Sequence, residues 1–149
     1  MGQKQNQYQL KELNLISVKM AHDFKKFPEL RNNQMVIYYF DSPHKQIDFD
    51  FRAKVVKVID GDTFKVKWEE RDFEFPIRMS TIAAPERNEQ GGAESKRWLE
   101  NQILNKEVDI LINPNNRVGK WGRLLGEVIS EGLNINDLSI IEGQSVPFE

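Results

Sequence analysis

Cysteine is absent from the 149 residues, so disulfides and thiolate-ligated zinc are excluded. Histidine is scarce: His22 and His44 are the whole supply. Both precede the stretch where polar motifs concentrate, so no histidine-based metal site is expected. Charge of one sign is also lacking, with 21 basic against 23 acidic residues, a net charge of −2 and a pI of about 5.8. That balance is a poor electrostatic footprint for tight nucleic-acid binding. Binding follows local patches rather than the total, and Lys65, Lys67, Arg117, Lys120 and Arg123 are candidates for one. Affinity built on such a patch is expected to be weak and salt-sensitive. Long apolar runs are missing too. The longest, Met35 to Phe40, is far too short to cross a membrane, so no membrane role is expected. The opening Met1-Gly2-Gln3-Lys4-Gln5-Asn6 is polar and does not read as a signal peptide, and Asn6 stands where a myristoylation motif requires Ser or Thr. The expected setting is therefore cytoplasmic, or that of a mature chain. Internal repeats and low-complexity stretches are absent.

What is present suits a folded domain. The chain is 39% hydrophobic and 30% charged, ordinary soluble composition with length enough for a core. Residues 1–50 read as an N-terminal extension, and residues 51–149 as the principal domain. Within the extension, residues 10–24 have loose helical character. Pro28 suits the first turn of a helix and Glu29 favours its N-terminus. That helix would run to the Asp41-Ser42-Pro43 break. The β-branched and aromatic run Met35 to Phe40 suits a strand equally well; Pro28 and the length favour the helix. The extension packs on the main domain, or offers a protein partner or a second copy a surface through residues 10–45. From Phe51 onward, Val55, Val56, Val58 and Ile59 predict a strand covered on both faces. Phe64 to Trp68 and Phe73 to Met79 alternate cleanly and predict two half-buried strands. A helix is expected over residues 93–104, strands over 107–112 and 124–129, and a short helix over 137–142 capped by Asn136.

Between the first two strands stands Val58-Ile59-Asp60-Gly61-Asp62-Thr63. Taken alone, Asp-Gly between apolar runs is a hairpin turn. Asp62, however, shares the parity of Phe64, Val66 and Trp68, which puts its carboxylate at the mouth of whatever that face encloses. Arg78 lies on the polar face of a neighbouring strand, where an arginine is ordinarily just solvated. Pro85 ends that segment and presents Glu86 on a loop. A carboxylate, an arginine and a glutamate so placed suit a metal-plus-phosphate site.

Ile59-Asp60-Gly61-Asp62-Thr63, Arg78, Ala84-Pro85-Glu86 and Gly119-Lys120-Trp121-Gly122-Arg123-Leu124 occur in that order. Together they make residues 52–143 resemble the staphylococcal nuclease (thermonuclease) family. The resemblance implies an α+β, mainly β fold: a five-stranded OB-fold barrel with packed helices, here carrying the N-terminal, helical extension. It implies a calcium-dependent phosphodiesterase (a nuclease, an endonuclease among its forms) that hydrolyses DNA and RNA. Asp62 matches a family ligand for Ca2+, and the Ala84 backbone carbonyl is a candidate second. Arg78 and Arg123 match the arginines that grip phosphate oxygens, for which a planar guanidinium fork is suited. Glu86 matches the glutamate that orients or deprotonates the attacking water. Asp60 and Thr63 would support the metal shell. Lys120 and Trp121 would contact nucleic acid, although Trp121 fits plain packing equally well.

One position departs from the pattern. Ala83 stands where the family has its second metal-ligating Asp, and a methyl group cannot ligate a hard cation. Losing one element of transition-state charge stabilisation costs on the order of a hundredfold or more in rate. The expectation is a nuclease with impaired calcium binding and activity. The alternative is a non-catalytic OB-fold module that binds single-stranded nucleic acid or a protein.

Overall fold

A computed structural model describes residues 22–148. Most of the helical character read over residues 10–24 lies outside the described residues. Where the sequence alternates, the chain forms β1 (Phe51–Asp60), β2 (Thr63–Lys67) and β3 (Phe75–Met79), each turning apolar side chains inward. Next come the short β4 (Ile82–Ala83), the later strands β5 (Glu107–Leu111) and β6 (Leu124–Ser130), and two further short strands, β7 (Leu133–Asn134) and β8 (Val146–Pro147). β1 pairs antiparallel with both β2 and β5, β2 pairs with β3, and β5 with β6. A parallel pairing of β3 with β6, Ile77 opposite Leu124, closes the ring. The result is the expected five-stranded barrel. Val55, Phe64, Val66, Ile77, Val108, Ile110 and Val128 fill it and are wholly buried.

The apolar run on β1 has a different cause from the expected two-sided cover. A register shift between Val55 and Lys57 marks a bulge. The extra residue lets Val55 and Val58 both point inward while Val56 and Ile59 stay half-buried.

Three helices are described, α1 (Asn32–Tyr38), α2 (Gly92–Ile103) and α3 (Ile135–Ile141). α2 packs on β1 and buries Leu99 and Ile103. α3 is capped by Asn134, whose side chain accepts the Asp137 N–H at 3.1 Å. Asn136, the expected cap, is instead wholly buried. It accepts the Val128 N–H at 3.0 Å and donates to the Ser80 carbonyl at 2.5 Å. A buried amide that satisfies a backbone group of β6 and one of the turn after β3 serves the core better than it would serve a helix end.

The extension is helical over part of its length, as preferred, but α1 begins at Asn32 rather than at Pro28, and a 3-10 turn over Tyr39–Asp41 follows. Glu29 is no helix-end carboxylate. It is buried between two arginines: Arg71 lies 2.5 Å from one carboxylate oxygen and Arg117 3.2 Å from the other. Arg117 therefore does not belong to a solvated basic patch. It also donates to the Ile47 and Leu30 carbonyls, each at 2.7 Å. Arg71 donates to the Lys45 carbonyl and lies over the Phe75 ring at 4.4 Å. No helix among the described residues is long and apolar enough to cross a membrane.

Candidate active site

The Asp60-Gly61-Asp62-Thr63 turn is the tight link between β1 and β2, with Asp60 opposite Thr63. Gly61 is needed there for space. A Cβ on it would meet Ser95 Cβ of α2 at 2.6 Å and Ala84 Cβ at 2.9 Å. The turn is thus pressed between a helix and the loop after β4, and this close approach fixes where Asp62 sits.

Asp62 is nearly buried, as its parity predicted, and both of its oxygens are engaged. Oδ1 accepts the Thr63 hydroxyl at 2.9 Å. Oδ2 accepts the Ala84 N–H at 2.9 Å and lies 3.3 Å from Arg78 Nη2. Arg78 reaches Asp62 from β3, where it stands opposite Thr63. Its Nη1 donates to the Met79 carbonyl and, at 2.9 Å, to the Ile82 carbonyl. Burial pulls the Arg78 pKa below its ordinary value; Asp62 opposes that shift and the neighbouring Arg123 adds to it. Arg78 thus pairs with Asp62, and Asp60 acts on it in the same direction, while Arg123 adds a second guanidinium beside them.

Arg123 opens onto the same mouth from just ahead of β6. Its Nη1 donates to Thr63 Oγ1 at 3.4 Å, and its buried Nε has no partner. Asp62, Thr63, Arg78 and Arg123 therefore form one connected group. Asp60 stands at its edge and accepts the Arg87 N–H at 3.1 Å. Glu86 is exposed on the loop between β4 and α2. Gly92 holds that loop close, because a Cβ there would fall 1.7 Å from the Glu86 carbonyl oxygen. Lys120 and Trp121 project from the turn before Arg123, with the ammonium 5.5 Å from the ring centroid. Trp121 is 64% exposed, which removes plain packing as its explanation.

Sequence reasoning did not single out Phe148. β8 pairs with β4, Ala83 opposite Val146, and the Phe148 N–H donates to the Thr81 carbonyl at 2.8 Å. This lays the Phe148 ring 5.9 Å from the Arg78 guanidinium. A lone Phe after a Pro carries no motif that would have drawn attention to it.

The residues present do not fit a calcium ion. Calcium takes six to eight oxygen ligands, usually with several carboxylates among them. No group of three or more acidic or histidine side chains with metal-binding geometry occurs among the described residues. Asp62 is already matched by Arg78, Ala83 offers a methyl group, and the part of Ala84 that meets Asp62 is its N–H.

Residues 76–146 match the family model described as Staphylococcal nuclease homologue, a span that holds Arg78, Glu86 and Arg123. An "Uncharacterized endonuclease" of Escherichia coli O157:H7 is 28% identical over 116 residues, covering 77% of this chain and 71% of that protein. A protein of the same description from Escherichia coli gives the same figures. A "Micrococcal nuclease" of Shigella flexneri is 29% identical over 105 residues, covering 64% of this chain and 58% of that protein. With its closed five-stranded barrel, the chain is similar to the staphylococcal nuclease family over residues 76–146.

Proposed function

We propose that this chain acts on the phosphodiester backbone of DNA or RNA as a nuclease whose calcium chemistry is impaired at Ala83. The observation that carries this reading is the connected group of Asp62, Thr63, Arg78 and Arg123 at the barrel mouth. Two guanidiniums at one mouth, Arg78 on Asp62 and Arg123 on Thr63, can hold a phosphate diester through N–H donors. Glu86, exposed beside them, is the candidate base for the attacking water, and Lys120 and Trp121 the candidate contacts to the strand. The Asp62–Arg78 pair equally favours a second reading, a module that binds single-stranded nucleic acid and cuts nothing. The protein-partner or self-association surface over residues 10–45 stays part of the proposal, supported by Val36, Ile37 and Phe40, which stand 88, 66 and 96% exposed.

The test is cleavage of single-stranded DNA in calcium and in chelator, comparing this chain with its Ala83→Asp form. The restored form should cut only with calcium, and at least about a hundredfold faster than the parent. If neither form cuts but oligonucleotide binding falls with Arg78→Ala or Trp121→Ala, the binding module is the right reading. If oligonucleotide binding ignores both changes as well, the cleft has no nucleic-acid role.

A further inference from the structure

Residues 27–32 precede the barrel and lie outside the region that matches the family model, residues 76–146. They nevertheless touch the turn that delivers Arg123 at several points. That turn is a tight hairpin. The Leu125 N–H donates to the Arg117 carbonyl at 2.7 Å, the Gly119 N–H to the Arg123 carbonyl at 2.8 Å, and the Gly122 N–H to the Gly119 carbonyl at 3.0 Å. Its base is tied down through Arg117, which bonds Glu29 and the Leu30 carbonyl. Asn32 Nδ2 donates to the Pro114 carbonyl at 2.8 Å on the approach to the hairpin. At the apex, Arg31 Nη2 donates to the Lys120 carbonyl at 2.9 Å and the Gly119 carbonyl at 3.4 Å. Phe27 packs against Gly122, where a Cβ would fall 2.4 Å from Phe27 Cδ1.

The front of the hairpin is held far less. Lys120 and Trp121 are exposed, and Arg123 makes one long hydrogen bond, to Thr63, from a guanidinium whose Nε is unpartnered. A single hydrogen bond at 3.4 Å is weak. It cannot fix a loop that has four exposed or half-exposed residues from Gly119 to Gly122. Beyond the hairpin's own backbone hydrogen bonds, the Arg31 and Phe27 contacts meet that backbone from the other side.

We propose that residues 27–32 are a clamp that sets the positions of Lys120, Trp121 and Arg123, with Arg31 as its positioning residue. The nucleic-acid-binding unit then includes residues 27–50 rather than beginning at residue 51. The purpose assigned to the clamp rests on the phosphate-binding reading above; its mechanical part does not.

The experiment compares the full chain with Arg31→Ala and Arg31→Lys by two measurements. Amide hydrogen exchange at Gly119 and Gly122 reports the hairpin without any nucleic acid. Binding of a fluorescein-labelled oligo-dT in chelator reports the phosphate site. Arg31→Ala should speed exchange at both glycines by about tenfold and leave Val128 in the barrel unchanged. It should weaken oligonucleotide binding by about fivefold, and Arg31→Lys should recover part of the loss. In an Arg123→Ala background the further effect of Arg31→Ala should fall short of that fivefold, because part of it is exerted through Arg123. Unchanged exchange at Gly119 and Gly122 overturns the clamp. Fully additive binding losses overturn the positioning role, since Arg31 would then be touching the strand directly. An unaltered chain that binds no oligonucleotide overturns the purpose and the phosphate reading together, while exchange still decides whether the hairpin is clamped.

Discussion

Glu29→Ala should destabilise the protein by about 3 kcal/mol. The figure follows from what the carboxylate holds. Arg71 and Arg117 have side chains 0 and 2% exposed, and Glu29 is the charged partner of both. Glu29 also accepts the Ile47 N–H at 3.2 Å. Removing one member of a buried pair costs about 3–5 kcal/mol, because the other charge is left without compensation. Here two cations are left. Arg117 keeps the Ile47 and Leu30 carbonyls, while Arg71 keeps the Lys45 carbonyl and the faces of Phe73 and Phe75. These remaining partners place the loss at the low end of that range. Burial already lowers the Arg71 pKa even with Glu29 beside it, so the environment has little tolerance for the bare cation. Against a typical total of about 5–15 kcal/mol, the loss is a large share. The assay is urea unfolding followed by tryptophan fluorescence. With a slope near ~2 kcal/mol per molar, the midpoint should fall by about 1.5 M. Glu29→Gln keeps the acceptor but not the charge and should lie between the two. A midpoint shift below about 0.5 M with an unchanged slope would refute the account of the triad as a buried tie.

Two further outcomes follow from the same coordinates. His44 has its pKa lowered from 6.5, first by burial and then by Arg71, with Glu29 and Asp72 acting in the opposite direction. The unfolded chain therefore binds the proton first as the pH falls below 6.5, and stability should decline from there down to the folded-state pKa. In His44→Phe, thermal melts at pH 7 and pH 5 should differ less than in the parent; an equal difference rules His44 out. Oligonucleotide binding through Arg78, Lys120 and Arg123 involves three cations, so log K against log salt should have a slope near about −2. A slope near zero in a fluorescence-anisotropy titration would mean that these residues do not meet phosphates.

The alternation of Phe64, Val66 and Trp68 placed Asp62 correctly, because strand parity is a local property and needs only neighbours in sequence. The same reasoning missed on β1, where one inserted residue at the bulge turned strict alternation into an apparently two-sided strand. It also read Asp-Gly as a turn favoured by backbone freedom. The Gly61 requirement is the approach of Ser95 and Ala84, which no window of sequence can reveal. Asn136 is the expected cap from sequence, but Val128 and Ser80 take its side chain and Asn134 caps the helix instead. The Glu29–Arg71–Arg117 group is illegible for a plainer reason. Its members are 42 and 46 residues apart in turn, and each taken singly looks like an ordinary surface charge. Pro28 drew Glu29 into the reading of a helix start, and Arg117 was counted into a basic patch that it does not join.

Ala83 and the Asp62–Arg78 pair are best understood as one charge balance. Two carboxylates at a half-buried mouth repel each other and need a divalent cation to share them. With alanine at position 83 a single monovalent cation is enough to balance Asp62, with Asp60 standing at the edge of the group. Arg78 supplies that cation from the adjacent strand, 3.3 Å away, while the Ala84 N–H and the Thr63 hydroxyl fill the remaining acceptor sites. The carboxylate is thereby satisfied by protein groups alone. The same pairing takes from Arg78 part of the charge it would offer to a phosphate. Among the described residues Arg123 has no ion-pair partner and an unpaired Nε, so its charge is less engaged than that of Arg78. If the cleft binds a phosphate as proposed, its anion-binding strength should therefore rest more on Arg123 than on Arg78, and on the hairpin that carries Arg123.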